Sequence, residues 1–222
     1  MPDATLQIPP PAPLTSFTED EIMFRDNIRQ FADEKVRPLV REMDEKGVFD
    51  PDLIRQFFQL GLMGIEIPEQ YGGGGGKFFE AILAVEEMSR VDASAGVVVD
   101  VQNTLVNNAL LRWGNEEQKK RFLPRMAADT CGAYALSEAG SGSDAFALQT
   151  RATLKGSDYV LNAANCGSPM AKKLVSLCCL PRSIPPRVTR ESLLFSSRKV
   201  SPASPWARKK TSWGFELRPP AS

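Results

Sequence analysis

The stretch ASAGVVVDVQNTLVNNALLRWG, residues 93–114, is apolar on nearly every side when it is drawn as a helix. Its run Val97–Val99 also suits a strand, because β-branched residues favour extended backbone. The length of the stretch favours a helix, since strands rarely exceed about ten residues. We therefore predict a buried helix here, surrounded by other helices.

The flanking sequence carries helix start and stop signals on both sides. Thr18 and Glu21 form a T-x-x-E capping box before an apolar-periodic stretch, which Pro38 is expected to break or kink. Pro51 suits the first position of a helix that ends at nearby glycines. Asn115 and Gln118 form a weaker cap for the segment that follows residue 114. Residues 18–128 thus predict an all-α bundle of about five or six helices.

Two further expectations concern the packing of this bundle. The segment KFFEAILAVEEMSRVD, residues 77–92, predicts an amphipathic helix, and five glycines at 72–76 predict a flexible loop before it. The apolar face of that helix is expected to hold Phe78, Ile82, Val85 and Met88. Core positions are expected at Phe57, Phe58, Leu62 and Met63.

After residue 129 the pattern changes to period two. GAYAL precedes the segment YALSEAGSGSD, residues 134–144, and TRATLKGSDYVLNA, residues 150–163, predicts two strands joined at Lys155–Asp158. A β domain therefore begins here. Periodicity is lost after Cys166, where proline, serine and arginine are frequent.

Charge divides the chain at the same point. Residues 1–166 hold 16 lysines and arginines against 25 aspartates and glutamates, whereas residues 167–222 hold 11 against 2. The net charges are therefore −9 and +9, and 8 of the 17 prolines lie in the basic part. Such a composition favours disorder. It also permits nonspecific phosphate binding, but no repeated basic-aromatic motif accompanies it, so no nucleic-acid partner is predicted.

Composition excludes several kinds of site. The chain has no histidine, which removes Ser-His and Cys-His catalysis, and its four cysteines lack metal-ligand spacing, so no metal site is predicted. No apolar run is long enough to span a membrane. The first sixteen residues are proline-rich and predict disorder, with neither a signal peptide nor a recognisable transit peptide.

The segment at 134–144 combines bare backbone with closely spaced hydroxyls. Gly140 and Gly142 allow positive φ and close approach of another molecule, while Ser137, Ser141 and Ser143 are candidate donors to carbonyl or phosphate oxygens. Neither a G-x-G-x-x-G fingerprint nor a P-loop is present. From these residues alone, a plain surface loop is the favoured interpretation.

Longer segments resemble the acyl-CoA dehydrogenase family, flavoenzymes that desaturate acyl-CoA thioesters. The resemblance runs from about Phe17 to Cys166 and is strongest to the short/branched-chain type. It is carried by FFQLGLMGIEIPEQYGG (57–73), VEEMSRVDAS (85–94), QNTLVNNALLRWGNEEQKKRFLP (102–124) and SEAGSGSDAFALQTRA (137–152).

The resemblance implies a cofactor, FAD, and a set of residues that contact it. In the family the position of Ser137 bonds the pyrimidine edge of the flavin, and that of Ser143 contacts the acyl-CoA substrate; a strand-end cap and a turn hydroxyl are their structural alternatives. Glu138 and Asp144 are expected either to orient backbone groups or to be solvated, rather than to act as the base. The predicted flavin-contacting residues are Tyr134, Ala135, Leu136, Ser137, Glu138, Ala139, Gly140, Ser141, Gly142 and Ser143.

The resemblance also implies α,β-dehydrogenation, with a glutamate of a C-terminal helical domain as base. No residue of this chain is assigned that role. Acyl-CoA is the expected substrate, electron-transfer flavoprotein the expected electron acceptor, and the mitochondrial matrix the expected location. Family members are homo-oligomers.

Beyond Cys166 the resemblance stops, but a shifted reading frame restores it. CGSPMAKKL (166–174), PRVTRESL (186–193) and KKTSWGFELRPPAS (209–222) each have codon sets that encode family-like β-domain sequence in one offset frame. We therefore interpret residues 167–222 as an out-of-frame tail, arising from a gene-model error, a splice variant or a mutation.

These observations predict an α+β chain in four parts. Residues 1–16 are a disordered N-terminus, 17–129 the helical domain, 130–166 an incomplete β domain and 167–222 a non-native, disordered tail. The predicted function is that of a flavin-dependent acyl-CoA dehydrogenase, truncated and inactive as these 222 residues. The alternative is a non-catalytic interaction fragment that partners an intact homologue.

Overall fold

A computed structural model describes residues 16–135, 137–138, 140–147, 149, 151–155, 158–162, 176–179, 194–196 and 216–217. Helices occupy most of the first 128 residues. They are α1 (Glu19–Phe31), α2 (Val40–Lys46), α3 (Pro51–Gln59), α4 (Phe78–Ser89), α5 (Ala93–Asp100), α6 (Asn108–Trp113) and α7 (Glu116–Ala128). The helical part of the predicted fold class is confirmed.

Two pairs of these helices, α1 with α2 and α5 with α6, are joined end to end by helical turns and form continuous helical rods. The described residues up to 128 therefore hold five rods, which agrees with the predicted five or six helices. A π-helical turn (Ala32–Val36) and a 3-10 turn (Arg37–Leu39) join α1 to α2. Pro38 therefore changes the hydrogen-bond pattern without ending the helical path. A second π-helical segment, Val101–Asn107, joins α5 to α6.

The predicted start signals of α1, α3 and α7 are confirmed. Thr18 Oγ1 accepts from the Glu21 amide, and Glu21 Oε2 accepts from the Thr18 amide at 2.8 Å. Asn115 and Gln118 form the same reciprocal pair. Pro51 opens α3.

The core forms two clusters of buried side chains. The larger lies among α1, α3, α4 and α5 and contains three of the predicted core residues, Phe57, Leu62 and Met63, with Phe58 packed against it. The smaller joins the 3-10 turn Glu69–Tyr71 to α6 and α7. The smaller cluster also contacts Tyr134, at the start of the β region.

The predicted apolar face of α4 is wrong for two of its four residues. Phe78 and Ile82 are 52% and 38% exposed, and Met88 is fully buried. The helix instead turns Ala81 and Ala84 inward, because it packs against both α1 and α5 and small residues permit close approach.

The glycine loop is more ordered in its hydrogen bonds than predicted. The amides of Gly74, Gly75 and Gly76 donate to carbonyls of Gly64, Ile67 and Ile65 at 2.8–2.9 Å. A Cβ at Gly73 would overlap the Ile67 carbonyl. Close backbone approach, rather than flexibility, therefore accounts for the glycine there.

Strands follow the helical part. They are β1 (Gly132–Ala135), β2 (Arg151–Lys155), β3 (Asp158–Asn162), β4 (Ser176–Cys179), β5 (Leu194–Ser196) and β6 (Glu216–Leu217), in two sheets of order β1-β4-β5 and β2-β3-β6. β2 and β3 form the predicted antiparallel hairpin, with Lys155 opposite Asp158.

The last three strands correct part of the tail prediction. No strand was expected after Cys166, yet β4 pairs parallel with β1, and β6 pairs antiparallel with β3. The physical reason is that β1 and β3 offer open edges, to which any extended segment can add backbone hydrogen bonds. The rest of 167–222, and residues 1–15, lie outside the described residues, so their predicted disorder stays a prediction.

Candidate functional site

The serine–glycine segment begins where β1 leaves the helical bundle. β1 lies against the π segment Val101–Asn107, where a Cβ at Gly132 would collide with the Val106 side chain. The Gly132 amide donates to Gln102 Oε1 at 2.8 Å. The start of the segment is thus held by the bundle.

Within the segment, the backbone closes a small turn. The amides of Glu138 and Ser141 each donate to the other residue's carbonyl at 3.1 Å. Ser141 is 2% exposed, and its hydroxyl donates to the Asp144 carbonyl at 2.8 Å. The Ser141 hydroxyl, predicted as a donor to a ligand, therefore stabilises the turn instead.

The two carboxylates of the segment orient backbone, as predicted. Glu138 Oε2 accepts from the Gln149 amide at 2.6 Å, and Asp144 Oδ1 accepts from the Phe146 amide at 3.1 Å. By accepting these hydrogen bonds, the two carboxylates stabilise the conformation of the loop. Each carboxylate thus has one oxygen bonded to a backbone amide of the loop region.

The remaining small residues of the turn are open to solvent. Ser137, Gly140, Gly142 and Ser143 are exposed. A Cβ at Gly142 would meet nothing within 4 Å, and one at Gly140 would meet only Gln149 Nε2 at 3.8 Å.

Neither glycine is needed for the conformation of the loop. Neither adopts the positive φ that glycine allows, which among the described glycines occurs at Gly47, Gly61, Gly72 and Gly75. What the two glycines provide is bare, exposed backbone between two exposed hydroxyls. Such a surface permits another molecule to approach the backbone closely.

The other predicted cofactor residues are placed less fully. Tyr134 is half-buried against the smaller core cluster, and Ala135 ends β1. Leu136 and Ala139 lie outside the described residues. Their predicted flavin contacts remain predictions.

Three buried amide side chains near the site were not predicted. Gln102, Asn103 and Asn107 are at most 2% exposed and belong to the π segment. Asn103 Nδ2 donates to the Leu62 and Val99 carbonyls at 2.7 and 2.9 Å, and Asn107 Nδ2 donates to the Met63 carbonyl at 2.8 Å. The available signal was an unusual run of amides inside an apolar helix.

Two titratable groups near the site have shifted pKa values. Burial raises the pKa of the Cys131 thiol to about 11. Burial also raises the pKa of the Glu66 carboxyl, which accepts from Asn108 Nδ2 at 3.3 Å. Within the described part of the chain, no cluster of acidic or cysteine side chains is arranged to hold a metal ion. No helix there has the length and apolarity to cross a membrane.

Comparison with known proteins identifies the family of this chain. Residues 18–130 match the family model of the acyl-CoA dehydrogenase N-terminal domain. The chain belongs to the acyl-CoA dehydrogenase family. The inferred resemblance to the short/branched-chain type is confirmed by the short/branched chain specific acyl-CoA dehydrogenase of Bos taurus, 45% identical over 161 residues.

Solved structures agree in fold. The butyryl-CoA dehydrogenase of Megasphaera elsdenii is 31% identical with a TM-score of 0.70, over 74% of this chain and 44% of that one. A glutaryl-CoA dehydrogenase from Mycobacterium smegmatis, solved in complex with FADH2, is 26% identical with a TM-score of 0.69, over 81% and 52%. The match to the bovine dehydrogenase covers 72% of this chain and 37% of that protein's length.

Proposed function

We propose that this chain supplies the helical domain and the flavin-contacting loop of a flavin-dependent dehydrogenase for short or branched acyl-CoA. The observation that carries the proposal is a surface formed by the exposed residues Ser137, Gly140, Gly142 and Ser143. It lies on a chain that is 45% identical over 161 residues to the bovine short/branched-chain enzyme. The FADH2 complex of the Mycobacterium smegmatis relative supports FAD as the cofactor.

The residues of the loop divide the work between structure and contact. Ser141, Glu138 and Asp144 hold the turn through the hydrogen bonds described above. This leaves the exposed Ser137 hydroxyl to donate to the pyrimidine edge of the flavin. Ser143 is proposed to contact the acyl-CoA.

The loop contributes binding and electrostatics rather than proton removal. Bound beside Ser137, FAD would supply the hydride acceptor for the dehydrogenation of acyl-CoA. A hydroxyl aimed at the pyrimidine edge stabilises negative charge that develops there, and it does so without reorganising. No carboxylate of the described loop is proposed as the base, because both hold backbone amides.

Partners and location follow from the same relatives. The bovine enzyme is named as mitochondrial, which supports the mitochondrial matrix as the location of this protein. We propose electron-transfer flavoprotein as electron acceptor and a homo-oligomer as the assembled form, as the family resemblance implies. We also propose that residues 167–222 are out of frame and that these 222 residues alone are inactive.

The deciding experiment begins with the transcript. Its sequence across the Cys166 codon should show a frame that continues with family-like residues, and the product of that frame should bind FAD and oxidise short or branched acyl-CoA. An uninterrupted frame as printed, with no family-like sequence in the offset frame of the same transcript, contradicts the out-of-frame proposal. A product that binds FAD but oxidises no acyl-CoA contradicts the proposed activity.

Ser137 provides the residue-level test. In that product, Ser137→Ala should lower kcat by about tenfold or more, because one preorganised donor is lost. Ser141→Ala is not a suitable control, since it disturbs the turn. Gln59→Ala, at the exposed end of α3, is the suitable control. Equal activity of Ser137→Ala and Gln59→Ala would refute the role of Ser137.

A non-catalytic fragment remains the second candidate. The described helices bury two apolar clusters of their own, which favours a bundle that folds without the β region. A pull-down with an intact homologue tests it. Specific capture favours the fragment, and its absence removes this candidate.

A further inference from the structure

The junction between α7 and β1 is held by one buried side chain. Gln102 is 2% exposed, and its Nε2 donates to the Met126 and Thr130 carbonyls, both at 3.1 Å. Its Oε1 accepts from the Gly132 amide at 2.8 Å. The amide therefore uses both donors and its acceptor on three backbone groups.

These three groups would otherwise be costly to bury. Met126 lies in the last turn of α7, where helix carbonyls lack partners within the helix. Thr130 and Gly132 flank the point where helix changes to strand. Since an unpaired buried polar group costs free energy, the Gln102 amide favours one direction for the chain leaving the bundle.

The π-helical geometry explains why Gln102 reaches this junction. The wider turn of Val101–Asn107 places Gln102 and Asn103 together inside the protein, and Asn103 bonds the separate loop that follows α3. Such π segments are frequent at functional sites. Here the segment joins the loop that follows α3 to the start of β1.

We propose that Gln102 is a positioning residue, which sets the direction of β1 and so places the serine–glycine loop for its ligand. The hydrogen bonds of Gln102 go to Met126, Thr130 and Gly132, and none of them reaches a described residue of the serine–glycine loop. It acts through Gly132, two residues before Tyr134. The inference rests on the proposed function only where it names the ligand of the loop as FAD.

Cys131 reports on this junction directly. It lies between Thr130 and Gly132, two of the residues that Gln102 bonds, and packs against the larger core cluster as a partly buried side chain. Its partial burial raises its pKa, and a protonated, partly buried thiol reacts slowly with alkylating reagents. Opening of the junction should therefore accelerate its reaction.

The first test measures alkylation of Cys131 in the 222-residue chain. Gln102→Met keeps the volume and removes all three hydrogen bonds, and it should accelerate labelling by about tenfold or more. Mass analysis of the tryptic peptide 126–151 separates Cys131 from the other cysteines. Gln59→Met, at an exposed position, is the matched control and should label like the unmodified chain.

A milder variant covers the case in which Gln102→Met fails to fold. Gln102→Glu keeps an acceptor for the Gly132 amide but places a carboxylate against two carbonyls. It should also accelerate labelling of Cys131 beyond the Gln59→Met control. Labelling equal to that control in both folded variants, or in Gln102→Glu alone if the other is unfolded, overturns the inference.

The second test separates positioning from simple stabilisation. In the flavin-binding product of the transcript, Gln102→Met should shift the visible flavin absorption band and weaken FAD affinity about tenfold, whereas Gln59→Met should change neither. Accelerated Cys131 labelling with unchanged flavin spectrum and affinity would overturn the positioning role. A product that binds no FAD at all contradicts the proposed function instead, and the labelling result stands apart from it.

Discussion

Glu87 is the most fully buried carboxylate among the described residues, and its partners explain why it can be charged there. Arg29 donates to both carboxylate oxygens at 2.9 and 2.6 Å, and Arg90 Nε donates at 3.2 Å. Arg90 also donates to Asp33 at 2.7 Å. The hydrogen bonds from Arg29 lower the pKa of Glu87, although burial opposes this. The network joins α1, α4 and the π turn after α1.

Replacement of Glu87 by glutamine should destabilise the bundle. Glu87→Gln keeps the shape but removes the charge from a buried site with two arginines, so we expect the free energy of unfolding to fall by about 2 kcal/mol at pH 7. Urea denaturation followed by circular dichroism measures it. Glu86→Gln, on the exposed neighbour, is the control and should change little.

The pH dependence of this difference has a defined sign. A carboxyl whose pKa is lowered by folding contributes stability above its unfolded pKa of about 4.3, and that contribution is lost as the pH falls through the folded pKa. The difference in the free energy of unfolding between the unmodified chain and Glu87→Gln should therefore become smaller below about pH 4. A gap that stays constant to pH 3 would contradict the assignment.

At the scale of elements, loops between helices are held by backbone bonds and buried amides. The glycine turn folds back on residues 64–67, and Asn103 and Asn107 bond the carbonyls of Leu62 and Met63. Tyr71 Oη donates to Glu116 Oε2 at 2.9 Å, which ties the same loop to the start of α7. One irregular segment is thus attached to two helical rods.

Gly73 tests how closely this turn is packed. Gly73→Ala would place Cβ on the Ile67 carbonyl, so we expect a loss of at least about 2 kcal/mol in the free energy of unfolding. Gly142→Ala meets open space and needs no positive φ, which makes it the matched control. Equal thermal midpoints for the two variants would show that the turn relaxes without cost.

At the scale of the molecule, the helical part and the β part differ in how they bury apolar surface. The helices enclose two core clusters, whereas the described strands form two separate three-stranded sheets. Small sheets with open edges depend on a covering layer for stability. We expect the serine–glycine loop, which is the proposed flavin-binding surface, to be the least stable part of these 222 residues.

This expectation is measured by flavin content. The purified 222-residue chain, incubated with excess FAD and then desalted, should retain far less than one flavin per chain, because the described strands form only two small sheets with open edges. Absorbance near 450 nm measures the retained flavin. A yellow preparation with one FAD per chain would contradict both the weak-binding prediction and the proposed inactivity.

Signals that depend on neighbouring residues were predictable from the sequence. The capping pairs Thr18–Glu21 and Asn115–Gln118, Pro51 at the start of α3 and the β2–β3 hairpin all occur as expected. Each is decided by bonds within a few residues of chain. The family motifs likewise lie in contiguous segments, and one of them pointed to the serine–glycine loop as the proposed flavin site.

Contacts between distant segments decided the rest. Ala81 and Ala84, not Phe78 and Ile82, face the core because α4 lies between two other helices. Buried Gln102 bonds three backbone groups, one in α7, one at Thr130 between the two elements and one in β1. The Ser141 hydroxyl bonds the Asp144 carbonyl. Local sequence determines which element forms, whereas the face it buries depends on the free energy of packing and of pairing polar groups across the folded chain.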